Sequence, residues 1–162
     1  MAIYYPPIGF HFSVVFELPA LPSNDAPDSR FQSVSGLSVD LQTETYKEGG
    51  ENRFEHTLPV RTSYPNLVLK RGMLVNSTVI AWCMDTFNNL NVRPINLVVT
   101  LLNEAHQPLM GWNIVNAYPV KWSVSEFNAQ QNNLVIETME LRYQYFRVIA
   151  VSSGAVLSNL NF

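Results

Sequence analysis

The sequence predicts a mainly β fold, an antiparallel β-barrel or sandwich with one α-helix. Three observations carry that prediction. Apolar and polar residues alternate with period two through most of the 162 residues, as strands with one buried face require. Several of the connections between these runs are short and rich in Asn, Gln, Glu and Pro, which favours antiparallel neighbours. One segment alone repeats its apolar residues at helical spacing.

In residues 10–18, Phe10, Phe12, Val14, Phe16 and Leu18 share one face, and His11, Ser13 and Glu17 belong to the opposite, mostly polar one. Residues 19–30 hold Pro19, Pro22 and Pro27 among Ser, Asn and Asp, the composition of a long exposed loop. In the next run Leu37, Val39 and Leu41 oppose Ser38, Asp40, Gln42 and Glu44, and Gly36 marks a bulge or a close backbone approach at its start. Glu48-Gly49-Gly50-Glu51-Asn52 then forms the tip of an extended loop. Residues 57–61 and 66–70 are short strands, joined by Tyr64-Pro65, which forces extended backbone.

The helix covers residues 76–89. Asn76 or Ser77 caps it, because a side-chain oxygen there accepts an unpaired backbone N–H. Val79, Ile80, Cys83, Met84 and Phe87 form its apolar stripe, and Asn88 or Asn89 ends it. Residues 95–102 are nearly continuous apolar, as for a strand covered on both faces. Trp112, Ile114, Tyr118, Val120, Trp122 and Val124 alternate with Asn113, Lys121 and Ser123. Val135, Met139, Leu141, Tyr143 and Tyr145 do so with Thr138, Glu140, Arg142 and Gln144. The predicted order is β-β-β-β-α-β-β-β in one domain over residues 1–147. Residues 148–162 are a charge-free extension that adds a strand to its own sheet, docks on a partner or forms a disordered tail.

Charged residues make up 14% of the chain, against roughly 25% in an ordinary soluble domain. Part of the exterior is therefore expected to be covered by other subunits. A net charge of −3, with Lys70-Arg71 the nearest approach to a basic run, excludes the electrostatic footprint of a nucleic-acid binder. No apolar stretch approaches the ~20 residues of a spanning helix, so direct membrane anchoring is not expected. The opening Met1-Ala2-Ile3 lacks the basic and apolar regions of a signal peptide. The single cysteine, Cys83, cannot form an internal disulfide, in keeping with synthesis in a reducing cytoplasm.

Candidate chemistry is sparse. His11, His56 and His106 lie far apart, none with a second ligand at metal spacing, so no metal site is assigned. Cys83 falls on the helix stripe and reads as a small buried hydrophobe. Ser33-Val34-Ser35-Gly36 lacks the frame of a nucleophile elbow, and Gly49-Gly50 leads into no phosphate-binding helix. Asn76-Ser77-Thr78 matches a glycosylation acceptor, but helix capping explains it better. Glu44, Glu48, Glu51 and Glu55 surround the glycine loop as a solvated surface or as partners for a neighbouring subunit's Arg53 or Arg61. No catalytic or cofactor-binding residue is assigned, and the chain is expected not to be an enzyme. Two other classes stay open: a carbohydrate-binding β-sandwich stacking sugars on Trp112, Trp122 or Tyr143, and a small barrel enzyme in which His11 or His56 meets carboxylates.

Five segments together resemble the tail-tube (inner tube) proteins of contractile phage tails and bacterial contractile injection systems. They are Tyr4-Tyr5-Pro6-Pro7-Ile8-Gly9-Phe10-His11-Phe12, Phe31-Gln32-Ser33-Val34-Ser35-Gly36-Leu37, Glu48-Gly49-Gly50-Glu51-Asn52-Arg53-Phe54, Tyr64-Pro65-Asn66-Leu67-Val68-Leu69-Lys70-Arg71-Gly72, and Trp112-Asn113-Ile114-Val115-Asn116-Ala117-Tyr118-Pro119-Val120-Lys121-Trp122. The resemblance covers roughly residues 4–147, and the order and spacing of the five are its specific part. It implies a chain made in the bacterial cytoplasm that closes into hexameric rings, stacked into a rigid tube around a channel for translocated cargo. The implied partners are other copies of the chain, a paralogous tube protein, a baseplate hub or spike, and the sheath. The Tyr-Tyr-Pro-Pro opening resembles the paralogue that starts the tube at the baseplate. The resemblance also places Glu48, Glu51, Arg53, Phe54, Glu55 and Arg61 in contacts between subunits or rings, and Ser38, Asp40, Gln42 and Glu44 on the lumen wall.

Overall fold

The computed structural model describes residues 12–18 and 31–152, and the backbone of the short strand Ala155–Val156. The expectations placed on His11, on the segment from Tyr4 to Phe10, on the 19–30 loop and on most of the tail lie outside these residues.

The first alternating run forms β1 (Phe12–Phe16), which pairs antiparallel with β6 (Ile95–Leu102). Val14 and Phe16 of β1 and Leu97 and Val99 of β6 are buried on the same side. β6 is not covered twice: its other face, through Asn96, Val98 and Thr100, is half-buried. The long β7 (Pro108–Val124) carries the rest of the architecture. Its first half lies between β6 and β9 (Tyr145–Ser152), and its second half pairs with β8 (Ile136–Arg142). β8 pairs in turn with β5 (Leu67–Gly72), and β5 with β2 (Ser33–Ser35), so the sheet order is β1-β6-β7-β8-β5-β2. β10 (Ala155–Val156) adds to β9. The core lies between the two halves, around Leu67, Leu69, Ile114, Met139 and Leu141.

β8 and β9 run back along β7 as one ribbon that changes sheets halfway, so the final run predicted from the sequence is two strands. Asn116 marks the change with φ 53°, a left-handed conformation that Asn tolerates. Its backbone N–H donates to Asn96 Oδ1 at 3.1 Å and its side-chain amide to Gln144 Oε1 at 2.9 Å. The break at Tyr143 and Gln144 also reverses parity. Met139, Leu141 and Tyr143 point inward, but beyond the break Phe146 packs on the core in place of Tyr145.

The expected barrel does not close. Among the described residues β1 and β2 end the sheet order without pairing to each other, and a cleft of about 220 Å³ lies between them, lined by Phe12, Val34, Leu37, Leu101 and Trp112. β2 is too short for a period to be legible and stops at Gly36, whose φ is 93°. The chain then leaves the body. Among the described residues β3 (Asp40–Tyr46) pairs only with β4 (His56–Ser63), as a separate two-stranded sheet.

The helix, α1, spans Thr78–Asn89 with Ser77 as its cap; Ser77 Oγ accepts the Ile80 N–H at 3.4 Å. Asn76, at φ 64°, stands outside it. The buried face is Val79, Trp82, Cys83 and Thr86, rotated from the predicted stripe so that Phe87 is partly exposed. Trp82 turns the helix: its ring meets Phe16 edge-on at 6.3 Å and its Nε1–H donates to the Arg93 carbonyl at 2.9 Å. The C-cap is Leu90 at φ 54°, one residue past the predicted asparagines. Asp85 holds that turn by accepting Asn89 Nδ2, Asn91 Nδ2 and Arg93 Nη2 at 2.8, 2.8 and 2.9 Å. The Asn89 bond, above all, keeps its carboxyl below the usual range.

Candidate assembly interface

Among the described residues the β3–β4 hairpin is the paired element left exposed on both faces. Every residue of β3 is exposed, and all of β4 except its two ends. It nevertheless carries Val39, Leu41, Tyr46, Phe54, Leu58 and Val60, each 48–59% exposed. A lone two-stranded hairpin is marginal in water, and a row of half-exposed apolar side chains on one marks a surface that packs elsewhere.

Cross-strand register fixes the two faces. Gln42 stands opposite Arg61, Glu44 opposite Leu58, and Asp40 opposite Ser63. Leu41, Thr43 and Thr45 share the other face with Thr62, Pro59 and Thr57. Val60 is the extra residue of a bulge between these pairs, beside Pro59, which cannot donate to the ladder. Asp40, Gln42, Glu44 and Arg61 are thus brought onto one face, while Ser38 lies in the exposed link just before β3.

The tip residues pair with one another. Arg53 forks onto Glu51 through Nε–Oε1 at 3.0 Å and Nη2–Oε2 at 3.1 Å, and the Arg53 backbone N–H donates to the same Oε1. These bonds hold the Glu51 carboxyl below its ordinary range. Lys47 pairs with Glu55 at 2.9 Å, and His56 Nε2 approaches Glu48 Oε2 at 3.3 Å. Phe54 stands edge-on to His56 at 5.0 Å. Arg53 is therefore engaged by its own Glu51, whereas Arg61 has no ion-pair partner among the described residues.

Two constellations are not apparent in the sequence reading. Arg71 and Glu137, fully buried on β5 and β8, form an ion pair inside the core. Arg71 Nη2 also donates to the cap oxygen of Ser77 at 2.6 Å, and its guanidinium lies over the Phe31 ring at 5.1 Å. The second is the hairpin root, where Tyr143, buried in the core, donates its hydroxyl hydrogen to the Gly36 carbonyl at 2.9 Å. Inward parity of Arg71 after Leu67 and Leu69, and of Glu137 before Met139, was the available signal for the first.

Buried Tyr143 cannot serve as a sugar platform, and Trp112 and Trp122 pack partly buried against the core. Cys83 is buried, and desolvation, followed by the Glu137 charge, pushes its thiol up to about 12, the setting of an inert cysteine. His56 meets one carboxylate, on an exposed loop. Among the described residues no group of three or more His, Cys, Asp or Glu is placed to hold a metal.

The family model for the T4-like virus tail tube protein gp19 matches residues 9–147. The chain belongs to the T4-like virus tail tube family. Solved structures agree. A chain of the anti-feeding prophage baseplate, reconstructed with 6-fold symmetry, is 30% identical with a TM-score of 0.82, over 91% of this chain and 98% of that one. A chain of the sheath-tube complex of an extracellular contractile injection system, in its extended state, is 26% identical with a TM-score of 0.74, over 92% and 95%. Hcp1 from Flavobacterium johnsoniae shares the fold alone, at 16% identity and a TM-score of 0.53, over 93% and 100%. Among curated protein sequences none matches. As a tail tube protein the chain is related to structural components of assembled particles, and no helix among its described residues is long and apolar enough to cross a membrane.

Proposed function

We propose that this tail tube protein forms hexameric rings of the inner tube of a contractile injection system or phage tail, at the end that joins the baseplate. The reading rests chiefly on one observation: the likeness to the 6-fold baseplate chain spans nearly all of both chains, and exceeds the likeness to the sheath-tube chain in identity and TM-score. The rings stack around a channel for cargo and meet the paralogous tube protein, the baseplate hub and the sheath. Mechanically the chain supplies stiffness and adhesion between subunits.

The hairpin provides that adhesion. Leu41 and Phe54 bury against a neighbouring copy, and Glu48, Glu51, Arg53 and Glu55 make polar contacts around them. Asp40, Gln42 and Glu44, with Ser38 beside them, face the lumen, with Arg61 at the edge of that face reaching the next subunit. The low share of charge and the half-exposed apolar row both support a covered hairpin.

Leu41→Glu, on the face opposite the lumen residues, tests this directly. It places a charge on an exposed strand position, where a substitution moves stability by about 0.5 kcal/mol or less, yet inside the proposed contact. The variant is expected to unfold at the wild-type temperature and to run as a single chain by light scattering. Under the same conditions the wild type gives a mass of six chains and rings by electron microscopy. Rings of unchanged abundance in the variant would contradict the hairpin's role.

A further inference from the structure

Both legs of the hairpin leave the body at one place, and two consecutive residues hold them. Before β3, the Gly36 carbonyl accepts the Tyr143 hydroxyl at 2.9 Å. After β4, the Tyr64 carbonyl accepts Arg142 Nη1 at 3.0 Å, and the same nitrogen reaches Asn66 Oδ1 at 3.4 Å. The Tyr64 ring packs against Tyr143 at 5.8 Å and Phe146 at 5.5 Å between centroids. Arg142 ends β8, and Tyr143 begins the break before β9, so the root is fastened to the bend at which the ribbon changes sheets.

We propose that Arg142 and Tyr143 anchor the hairpin to this bend and set the direction in which it projects. A two-stranded sheet without a core of its own can be aimed only at its root. Here each leg is held by a separate hydrogen bond, and an aromatic wedge fills the space between leg and body. Burial raises the Tyr143 hydroxyl above its ordinary range, which keeps it a donor. The anchor stands on the root geometry alone; its consequence for assembly rests on the reading of the hairpin as a subunit contact. A hairpin already aimed loses less freedom when it meets a neighbouring copy.

The test is a distance distribution between spin labels at Asn52→Cys, on the hairpin tip, and Glu104→Cys, on the exposed β6–β7 turn, in protein diluted to the single chain. Cys83 is buried and stays unlabelled. Arg142→Ala with Tyr143→Phe is expected to broaden the distribution roughly twofold, as for an element released to local motion, while the rings that pack Tyr64 remain. Arg142→Lys alone, able to donate to the Tyr64 carbonyl, is expected to keep most of the wild-type width in the Tyr143-intact chain. An unchanged width in the double variant overturns the anchor. If that variant does not fold, Tyr143→Phe alone carries the test, with a smaller broadening expected and an unchanged width again decisive against it. Light scattering on undiluted samples separates the two readings. Broadening with assembly unweakened upholds the anchor and overturns its consequence for assembly, while the contact itself is tested by the charge placed on the hairpin.

Discussion

Glu137→Ala is expected to destabilise the chain by about 3–5 kcal/mol, the cost of removing the carboxylate from a buried ion pair. Arg71 is fully buried, so its guanidinium cannot turn to water when the carboxylate is lost. The same guanidinium holds Ser77, which caps α1, so the first turn of the helix loosens with it. For a chain of this size the loss corresponds to a melting temperature lower by roughly 10 °C, measured by calorimetry or circular dichroism. Replacing both partners with apolar residues, Arg71→Met with Glu137→Leu, is expected to cost much less, since no buried cation then loses its counter-charge. A double variant as unstable as the single one would contradict that account.

Gly36→Ala is the second large effect. A Cβ at Gly36 would fall on the carbonyl oxygen of Asn66, 3.0 Å from its carbonyl carbon and 3.1 Å from Leu67 Cα, and φ is 93°. Backbone cannot yield as a flexible side chain does, so steric overlap and left-handed strain add to about 2–4 kcal/mol. The displaced carbonyl also gives up the Tyr143 hydroxyl. Gly49→Ala is the control: its φ is ordinary and nothing lies within 4 Å of its added Cβ. Thermal unfolding is expected to separate the two variants clearly, and equal melting temperatures would exclude a structural demand at Gly36.

Much of this was legible in the sequence, because period and parity report burial directly. Val14, Phe16, Met139 and Leu141 are all buried on the faces that alternation assigned them. What alternation cannot report is whether a face finds anything to pack on. Leu37, Val39 and Leu41 look like a core face, yet only Leu37 packs on the core; Val39 and Leu41 follow the chain out of the body and stay exposed. The parity reversal at Tyr143 and Gln144 was hidden because Tyr145 continues the apolar pattern on the wrong side. Trp82 took the buried place assigned to Phe87 because its indole N–H could reach the Arg93 carbonyl, a contact that spacing does not encode. The glycine-loop charges were visible as a group, but only the fold shows that Glu51 and Arg53 are joined within one chain. The Arg71–Glu137 pair had a signal in its parity, outweighed by the ordinary exposure of both residue types.

The central claim is that the β3–β4 hairpin becomes a buried contact between copies of the chain. Hydrogen exchange across residues 40–63 measures this most directly, comparing the dilute single chain with assembled rings. The account predicts rapid exchange along the exposed hairpin in the single chain, slowed at least ~10-fold on assembly, as for amides drawn into a cooperative unit. Rings whose hairpin amides exchange as fast as those of the single chain would contradict it.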